Sequence, residues 1–268
     1  FEENLVENIQ NLQQIHFLSD LHLSEQTPNL TKLFKDYLQN LDNQQVKNIY
    51  ILGDFFDAWI GDDFLDYQNA NFYTELCKFI KTKKSEKNIN FYFLRGNRDF
   101  LVSQKFSEYS GIKILPDTYF LNDFVDLQLQ IIMSHGDEFC TDDLPYMQFR
   151  NTCRNSQWQQ QILALPIEKR LAMAQQIKLQ SQADKNGIYK DINLASFDDF
   201  ISKLNSTNNI VYIHGHTHIG GEHNSKIANS NVKRWVLSDW RESQNFAEIS
   251  ILTIDKNKQQ NSYSLQRK

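Results

Sequence analysis

Cysteine is scarce in this chain, and what there is stands apart. The 268 residues hold three, Cys77, Cys140 and Cys153, with no C-x-x-C pair among them. That spacing excludes a disulfide framework and a zinc knuckle and points to a reducing compartment. No apolar run reaches the roughly 18 residues that a membrane-spanning helix needs. The beginning, Phe1-Glu2-Glu3-Asn4, has no basic stretch leading into an apolar one, so no secretory signal is read there. The chain has no excess of basic charge, its net charge being −5, which argues against broad nucleic-acid binding. Internal repeats are absent, and the Asn/Gln-rich stretch at 258–261 is a compositional bias without a functional reading.

What is present suits a packed core: 40% hydrophobic and 23% charged residues, in a length that fits one large α/β domain or a domain with an insertion. Short apolar runs at 15–18, 48–52, 89–94, 127–133 and 210–213 each close on Gly or a polar residue, as buried strands do. Helical spacing lies between several of them, as in Leu30-Phe34-Leu38-Leu41 and Phe72-Leu76-Phe79-Ile80. Alternating strands and helices give an α/β sheet whose sites sit beyond the strand ends.

Residues 144–190 read differently, as two or three helices inserted between the fourth and fifth strands. Apolar residues recur there at helical spacing (Met147, Phe149, Trp158, Ile162, Leu165, then Ile167, Leu171, Ala174, Ile177). Seven basic residues against two acidic ones make this insert +5, leaving −10 for the remainder of the chain. A basic helical insert on an acidic body suits an anionic substrate or membrane surface, although solvated lysines on amphipathic helices give the same count. The tail, with runs at 235–237, 246–254 and 263–265, predicts antiparallel strands completing a second sheet. At the other end Phe1, Leu5, Ile9 and Leu12 share helical spacing, and either bilayer contact or capping of the sheet would explain it.

Five stretches place metal-liking side chains at the ends of the five apolar runs: Ser19-Asp20-Leu21-His22, Gly53-Asp54-Phe55-Phe56-Asp57, Gly96-Asn97-Arg98-Asp99, Ser134-His135-Gly136-Asp137 and His214-Gly215-His216-Thr217-His218. Singly, an Asp after Gly is a turn or a helix cap, and a lone His is a hydrogen-bonded structural residue. Together they supply donors for two adjacent metal ions, a recurrent device for attacking phosphorus. Asp20 and His22 are two apart, so an extended backbone would point both to one side, and His214, His216 and His218 share that spacing. Imidazole with carboxylate and amide oxygen suits Mn²⁺, Fe²⁺ or Zn²⁺ better than Ca²⁺.

From about residue 15 to 240, these stretches resemble the signature set of the calcineurin-like metallophosphoesterases. The resemblance implies an α/β (α+β) sandwich of two mixed β-sheets flanked by helices. Its metallophosphoesterase domain would span 13–268, with a helical lid at 144–190 and an N-terminal extension at 1–12. It implies two metal ions, one held by Asp20, His22, Asp54 and His218, the other by Asp54, Asn97, His135 and His216, with Asp54 bridging. His214 falls outside that ligand set and is assigned a supporting hydrogen bond; His16 and His223 are read as structural or surface residues.

The words around the ligands are narrower still. Ala58-Trp59-Ile60-Gly61-Asp62-Asp63, Asn97-Arg98-Asp99-Phe100-Leu101, Cys140-Thr141-Asp142-Asp143 with Tyr146, Leu163-Ala164-Leu165-Pro166, and Val236-Leu237 with Trp240 resemble one bacterial branch of the family. That branch splits the pyrophosphate of a UDP-linked diacylated glucosamine in lipid A biosynthesis. It typically uses Mn²⁺ and works as a peripheral protein on the cytoplasmic side of the inner membrane. The resemblance implies catalytic roles for Asn97, Arg98 and His216, and substrate contacts by Asn97, Arg98, Asp143, Ser181, Lys185 and His216. No nucleic acid and no obligatory protein partner are expected. Two other readings stay open on the residues alone: a soluble nucleotide pyrophosphatase or phosphodiesterase of the same fold, and a non-enzymatic binding scaffold.

Overall fold

The computed structural model describes residues 12–121, 128–185, 190–242, 246–255 and 262–268. The helical spacing proposed for the N-terminal extension therefore lies outside the described residues, save for Leu12, which opens the first strand. In chain order the elements are β1 (Leu12–Leu18), α1 (Pro28–Asn40), β2 (Val46–Leu52), α2 (Asn71–Lys87), β3 (Asn90–Leu94), α3 (Gln104–Ser110), β4 (Lys113–Ile114), β5 (Thr118–Leu121) and β6 (Leu129–Ser134). There follow α4 (Leu144–Cys153), α5 (Ser156–Leu163), α6 (Ile167–Lys185), α7 (Leu194–Lys203), β7 (Asn209–His214), β8 (Gly221–Ile227), β9 (Ser230–Val236), β10 (Ser250–Asp255) and β11 (Ser262–Arg267).

The strands form two mixed sheets, ordered β11-β10-β1-β2-β3-β4 and β5-β6-β7-β9-β8. β1 to β4 run parallel, as do β6, β7 and β9. The central strands β1, β2, β6 and β7 alternate their side chains between two buried faces, which is why their apolar runs look continuous in sequence. Ile15, Phe17, Tyr50 and Leu52 of the first sheet meet Ile131, Met133, Val211 and Ile213 of the second in the central layer. Leu18, Ile49, Ile51 and Phe93 point outward under α1 to α3. Ile132, Ile210 and Tyr212 point outward under α7. Helix α1 starts on a proline, whose fixed φ suits a first turn, and buries Leu30, Phe34 and Leu38 at the four-residue spacing of one helical face.

The tail departs from the expectation. β9 joins the second sheet parallel to β7, but β10 and β11 cross to the first sheet, where β10 pairs antiparallel with β1, Ile15 opposite Leu252. Period-two alternation identifies a strand but carries no information about which sheet takes it. β8 was not anticipated because it is an exposed edge strand, Gly-Glu-His-Asn-Ser-Lys-Ile, with only Ile227 buried.

Within 144–185 the described residues form three helices and no strand. Asp143 and Asn155 cap α4 and α5, accepting from the amides of Tyr146 and of Gln157 and Trp158. Phe149 and Trp158 pack around Phe100, and Ile167 and Ala174 of α6 pack against Ile60 and Phe64.

Candidate dimetal centre

The parallel strands of both sheets end at the same edge, and main-chain bonds lace their exits together. The amide of Asp20 donates to Gly53 O (3.1 Å), His22 to Asp54 O (3.0 Å), Gly215 to His135 O (3.0 Å) and Trp240 to Asp20 O (3.0 Å). Chains leaving five strand ends are thereby packed into one small volume.

The backbone there is not extended. Asp20 (φ 54°), His22 (φ 48°), Asp54 (φ 50°), His216 (φ 66°) and His218 (φ 59°) all occupy the left-handed region. The side chains of Asp20 and His22 converge because each stands on a tight left-handed turn after β1 has ended, not because a strand alternates. The same holds for His216 and His218 after β7, while His214, still in the strand, points away from the centre. Left-handed non-glycine residues carry local strain that surrounding contacts must hold, and they concentrate at functional sites.

Two glycines make room. Gly53 sits at φ +89°, where a Cβ would also stand 2.6 Å from His135 Nδ1, and a Cβ on Gly96 would overlap the Asp54 carboxylate. Asp99, fully buried, gathers the turns around it, accepting from the amides of Gly96 (2.8 Å), Phe55 (2.8 Å), Asp54 (3.3 Å) and Phe56 (3.4 Å). Burial first, then the neighbouring charge of Asp54, lift its carboxyl to about 7.

The seven expected donors come together in two lobes sharing Asp54. In one, His218 Nε2 lies 3.3 Å and His22 Nε2 3.9 Å from Asp20 Oδ1, the two imidazole nitrogens are 3.5 Å apart, and His22 Nε2 is 4.0 Å from Asp54 Oδ2. In the other, Asn97 Oδ1 stands 3.0 Å from both His135 Nε2 and His216 Nδ1, and His135 Nε2 is 3.6 Å from Asp54 Oδ1. Ligand atoms of Asp20, His22 and His218, and likewise of Asp20, Asp54 and His135, fall within 4.8 Å of one another.

The donor set fits metal ions. Asp20 Oδ2 is occupied, accepting from Ser19 Oγ (2.6 Å) and the His216 amide (2.9 Å), whereas its buried Oδ1 has no hydrogen-bond partner. A buried carboxylate oxygen left in that state is costly unless a cation faces it. His135 Nδ1 lies 2.8 Å from the Leu52 carbonyl, so its N–H donates there and Nε2 is the nitrogen that faces the centre.

The electrostatics agree. Burial disfavours charge on His135, yet the carboxylates of Asp54, Asp20 and Asp137 outweigh it and raise the imidazole to about 9. Burial pushes Asp54 upward as well, helped by Asp20. Burial also acts to raise Asp20, but the close approach and charge of His218 overcome it and hold that carboxyl far below its usual range. Carboxylates that draw a proton onto His135 in this way, while burial keeps His22 well below its ordinary value, leave negative charge for a cation to neutralise.

Arg98 lies at the rim. Its amide donates to Asp54 Oδ1 (2.8 Å), and its side chain lines a cleft between Asn97 and the helices α4 to α6. Asp143 is exposed at the start of α4. Positions 181 and 185 fall in α6, and the side chains of Ser181 and Lys185 lie outside the described residues. His214 is buried and makes the supporting contacts expected of it, Nδ1 to Gly215 O (3.0 Å) and Nε2 to Arg234 (3.3 Å). His16 is buried against Tyr37 OH (2.8 Å) and His223 stands on the exposed strand β8.

Sequence reasoning assigned no part to three acidic residues that the structure places behind the donors. Asp99 gathers the turns; Asp137 accepts from Tyr146 OH (2.8 Å) and Arg150 Nε (2.9 Å); Asp239 stands 3.4 Å from His218 Nδ1 and accepts from Arg241 (2.9 Å). Asp99 and Asp137 sat inside the motifs already quoted. Asp239 had no local signal, since only the fold brings the end of β9 beside β7.

Fold and centre define a metal-dependent phosphoesterase: residues 14–220 match the calcineurin-like phosphoesterase family, and the chain belongs to it. Family members work with two metal ions, and this chain is a metal-dependent hydrolase. Among curated proteins it is 39% identical over 243 residues to the UDP-2,3-diacylglucosamine hydrolase of Haemophilus influenzae strain PittGG, covering 90% of this chain and 94% of that protein. It is 35% identical to the protein of the same name from Histophilus somni strain 2336 (89% and 97% covered) and 36% identical to that from Chromohalobacter salexigens (84% and 87%). Among solved structures, a dimetal phosphatase from Danio rerio superposes with a TM-score of 0.51 at 10% identity, covering 94% of this chain and 98% of that one. At that identity the likeness concerns the fold.

Proposed function

We propose that this chain hydrolyses the pyrophosphate bond of UDP-2,3-diacylglucosamine, yielding UMP and 2,3-diacylglucosamine 1-phosphate, a step of lipid A biosynthesis. One observation carries the reading: seven donors cluster around Asp54, and one of them, Asn97, also lines an adjoining cleft with an apolar wall. Trp59, Phe100, Leu101, Phe149 and Ile162 line that wall beside Asn97 and Arg98. A charged floor under an apolar wall suits a diphosphate joined to acyl chains. The relatives' shared name supports the same substrate.

In this reading Asp20, His22, Asp54 and His218 hold one ion, and Asp54, Asn97, His135 and His216 the other. The ions are two Mn²⁺, with Fe²⁺ or Zn²⁺ as substitutes. When bound, they supply nucleophilic water near neutral pH and neutralise phosphoryl charge. Arg98 steadies charge developing on the phosphoryl oxygens, and Asn97 and His216 position the phosphate. Asp143, Ser181 and Lys185 contact substrate from the lid, which spans 144–190.

The lid also faces an anionic bilayer as a peripheral surface on the cytoplasmic side of the inner membrane. The exposed Leu144, Leu163, Leu171 and Leu179 support that placement. Among the described residues no helix is long and apolar enough to cross a membrane.

UMP release from the acylated substrate tests the proposal. Chelator should abolish it and Mn²⁺ restore it, and a de-acylated analogue should turn over far more slowly. Equal rates on the two substrates would replace the lipid with a soluble nucleotide pyrophosphate.

A further inference from the structure

Helix α6 is fixed to the body at two points of different character. Arg170 is 3% exposed and donates to Ile60 O (2.6 Å), Asp63 Oδ1 (2.8 Å) and Leu165 O (3.0 Å). Eight residues on, about 12 Å along the helix axis, Lys178 pairs with Asp57. Its side chain is 31% exposed and that of Asp57 21%. In the first anchor the guanidinium is buried; in the second both partners are partly exposed, and Asp57 lines the cleft.

Ala174 and Ile177 line the cleft; Lys178 follows at the four-residue spacing from Ala174 and reaches the cleft's edge through its pair with Asp57, while Leu179 is 60% exposed. Asp57 lines the same cleft, three residues after Asp54 and together with Asn97 and Arg98. An unneutralised carboxylate at the mouth of a diphosphate site would repel its substrate. A partly exposed Lys–Asp pair is weak and readily exchanged. A diphosphate diester carries two negative charges against a carboxylate's one, and the lysine's four-carbon stem lets its ammonium move between partners.

We propose that Lys178 is a substrate-binding cation of the cleft: Asp57 holds it in the free enzyme, and it transfers to phosphate oxygens of the entering diphosphate ester. The proposal rests on the phosphoester reading above and adds a residue to it. It separates Lys178 from a mere latch, because latch and cation transfer give opposite signs for the two halves of the pair.

The test uses the full metal-loaded chain with Lys178→Met, Lys178→Arg and Asp57→Asn. It measures KM and kcat on UDP-2,3-diacylglucosamine, melting temperature, and calorimetric titration with inorganic phosphate. Lys178→Met should raise KM about tenfold, with the effect on KM rather than kcat, and weaken phosphate binding. Lys178→Arg should recover most of the loss. Asp57→Asn should lower KM and tighten phosphate, having released the lysine. Parallel losses in Lys178→Met and Asp57→Asn, tracking a common fall in melting temperature, would reduce the pair to a structural latch and overturn the proposal. If the wild-type chain leaves the UDP substrate intact, the functional reading fails, while the phosphate titrations still decide the role of Lys178.

Discussion

The floor of the site and the helices above it are held by different physics. The floor is buried main chain and buried carboxylates: Asp20 and Asp99 are fully enclosed and Asp54 nearly so, and amide bonds to carboxylates and to neighbouring carbonyls tie its turns together. The helices α4 to α6 keep few buried side chains and lean on discrete cationic contacts, Arg170 to Asp63 and Ile60, Lys178 to Asp57, Arg154 to Asp117. A floor so built is tied together by buried bonds, whereas a roof on ion pairs should be loosened by one substitution without disturbing what lies beneath. In the proposed function, positioning chemistry and admitting a bulky ester would fall to separate parts.

Asp54→Asn should break the floor most severely. The bridging charge is lost while the shape is kept, so turnover should fall on the order of 10³-fold, and metal analysis should find less than the wild-type complement. Retention of both ions and full turnover would show that Asp54 does not bridge.

Arg170→Met should act on the roof alone. It leaves the Ile60 carbonyl without its donor, costing about 1–3 kcal/mol, or a few degrees of melting temperature in a domain of this size. KM should rise and metal content stay as in the wild type. Loss of metal in this variant would mean that roof and floor are one unit.

The smallest effect concerns the frame behind the floor. Burial, aided by the nearby charge of Lys268, lowers the buried His16 imidazole to about 4. Between pH 6.5 and 4 the unfolded chain therefore binds a proton that the folded chain refuses. Stability from this group is complete above pH 6.5 and declines as pH falls, by about 1–2 kcal/mol at pH 5. Urea titrations at pH 7 and 5 should show this slope, and His16→Gln should flatten it. An unchanged slope would place the acid sensitivity elsewhere.

Much of the floor was legible in sequence because its chemistry needs particular residue types where particular strands stop. Asp20, Asp54, Asn97, His135 and His216 each follow an apolar run, and the runs themselves mark β1, β2, β3, β6 and β7. What was not legible depends on contacts distant in the chain. The extended-strand account of Asp20 and His22 failed because side-chain spacing of two is shared by strands and by left-handed turns. β10 and β11 were recognisable as strands, but their sheet is chosen by the edge that β1 leaves open. Asp239 became visible only when the fold set it beside His218, and Asp57–Lys178 only when a helix 121 residues later lay across the cleft.

The left-handed turns narrow the choice of donor at five places. Asp and His are among the side chains that tolerate such a backbone best after glycine, and both are short enough to meet an ion from a tight corner. A Glu at 20 or 54 would carry the same charge, but it would be ill suited to the corner and its oxygen would overshoot the lobe. Conservative exchange, as ordinarily judged by charge, is therefore the wrong measure here: the alphabet of permissible ligands is set by the main chain before the metal has any say.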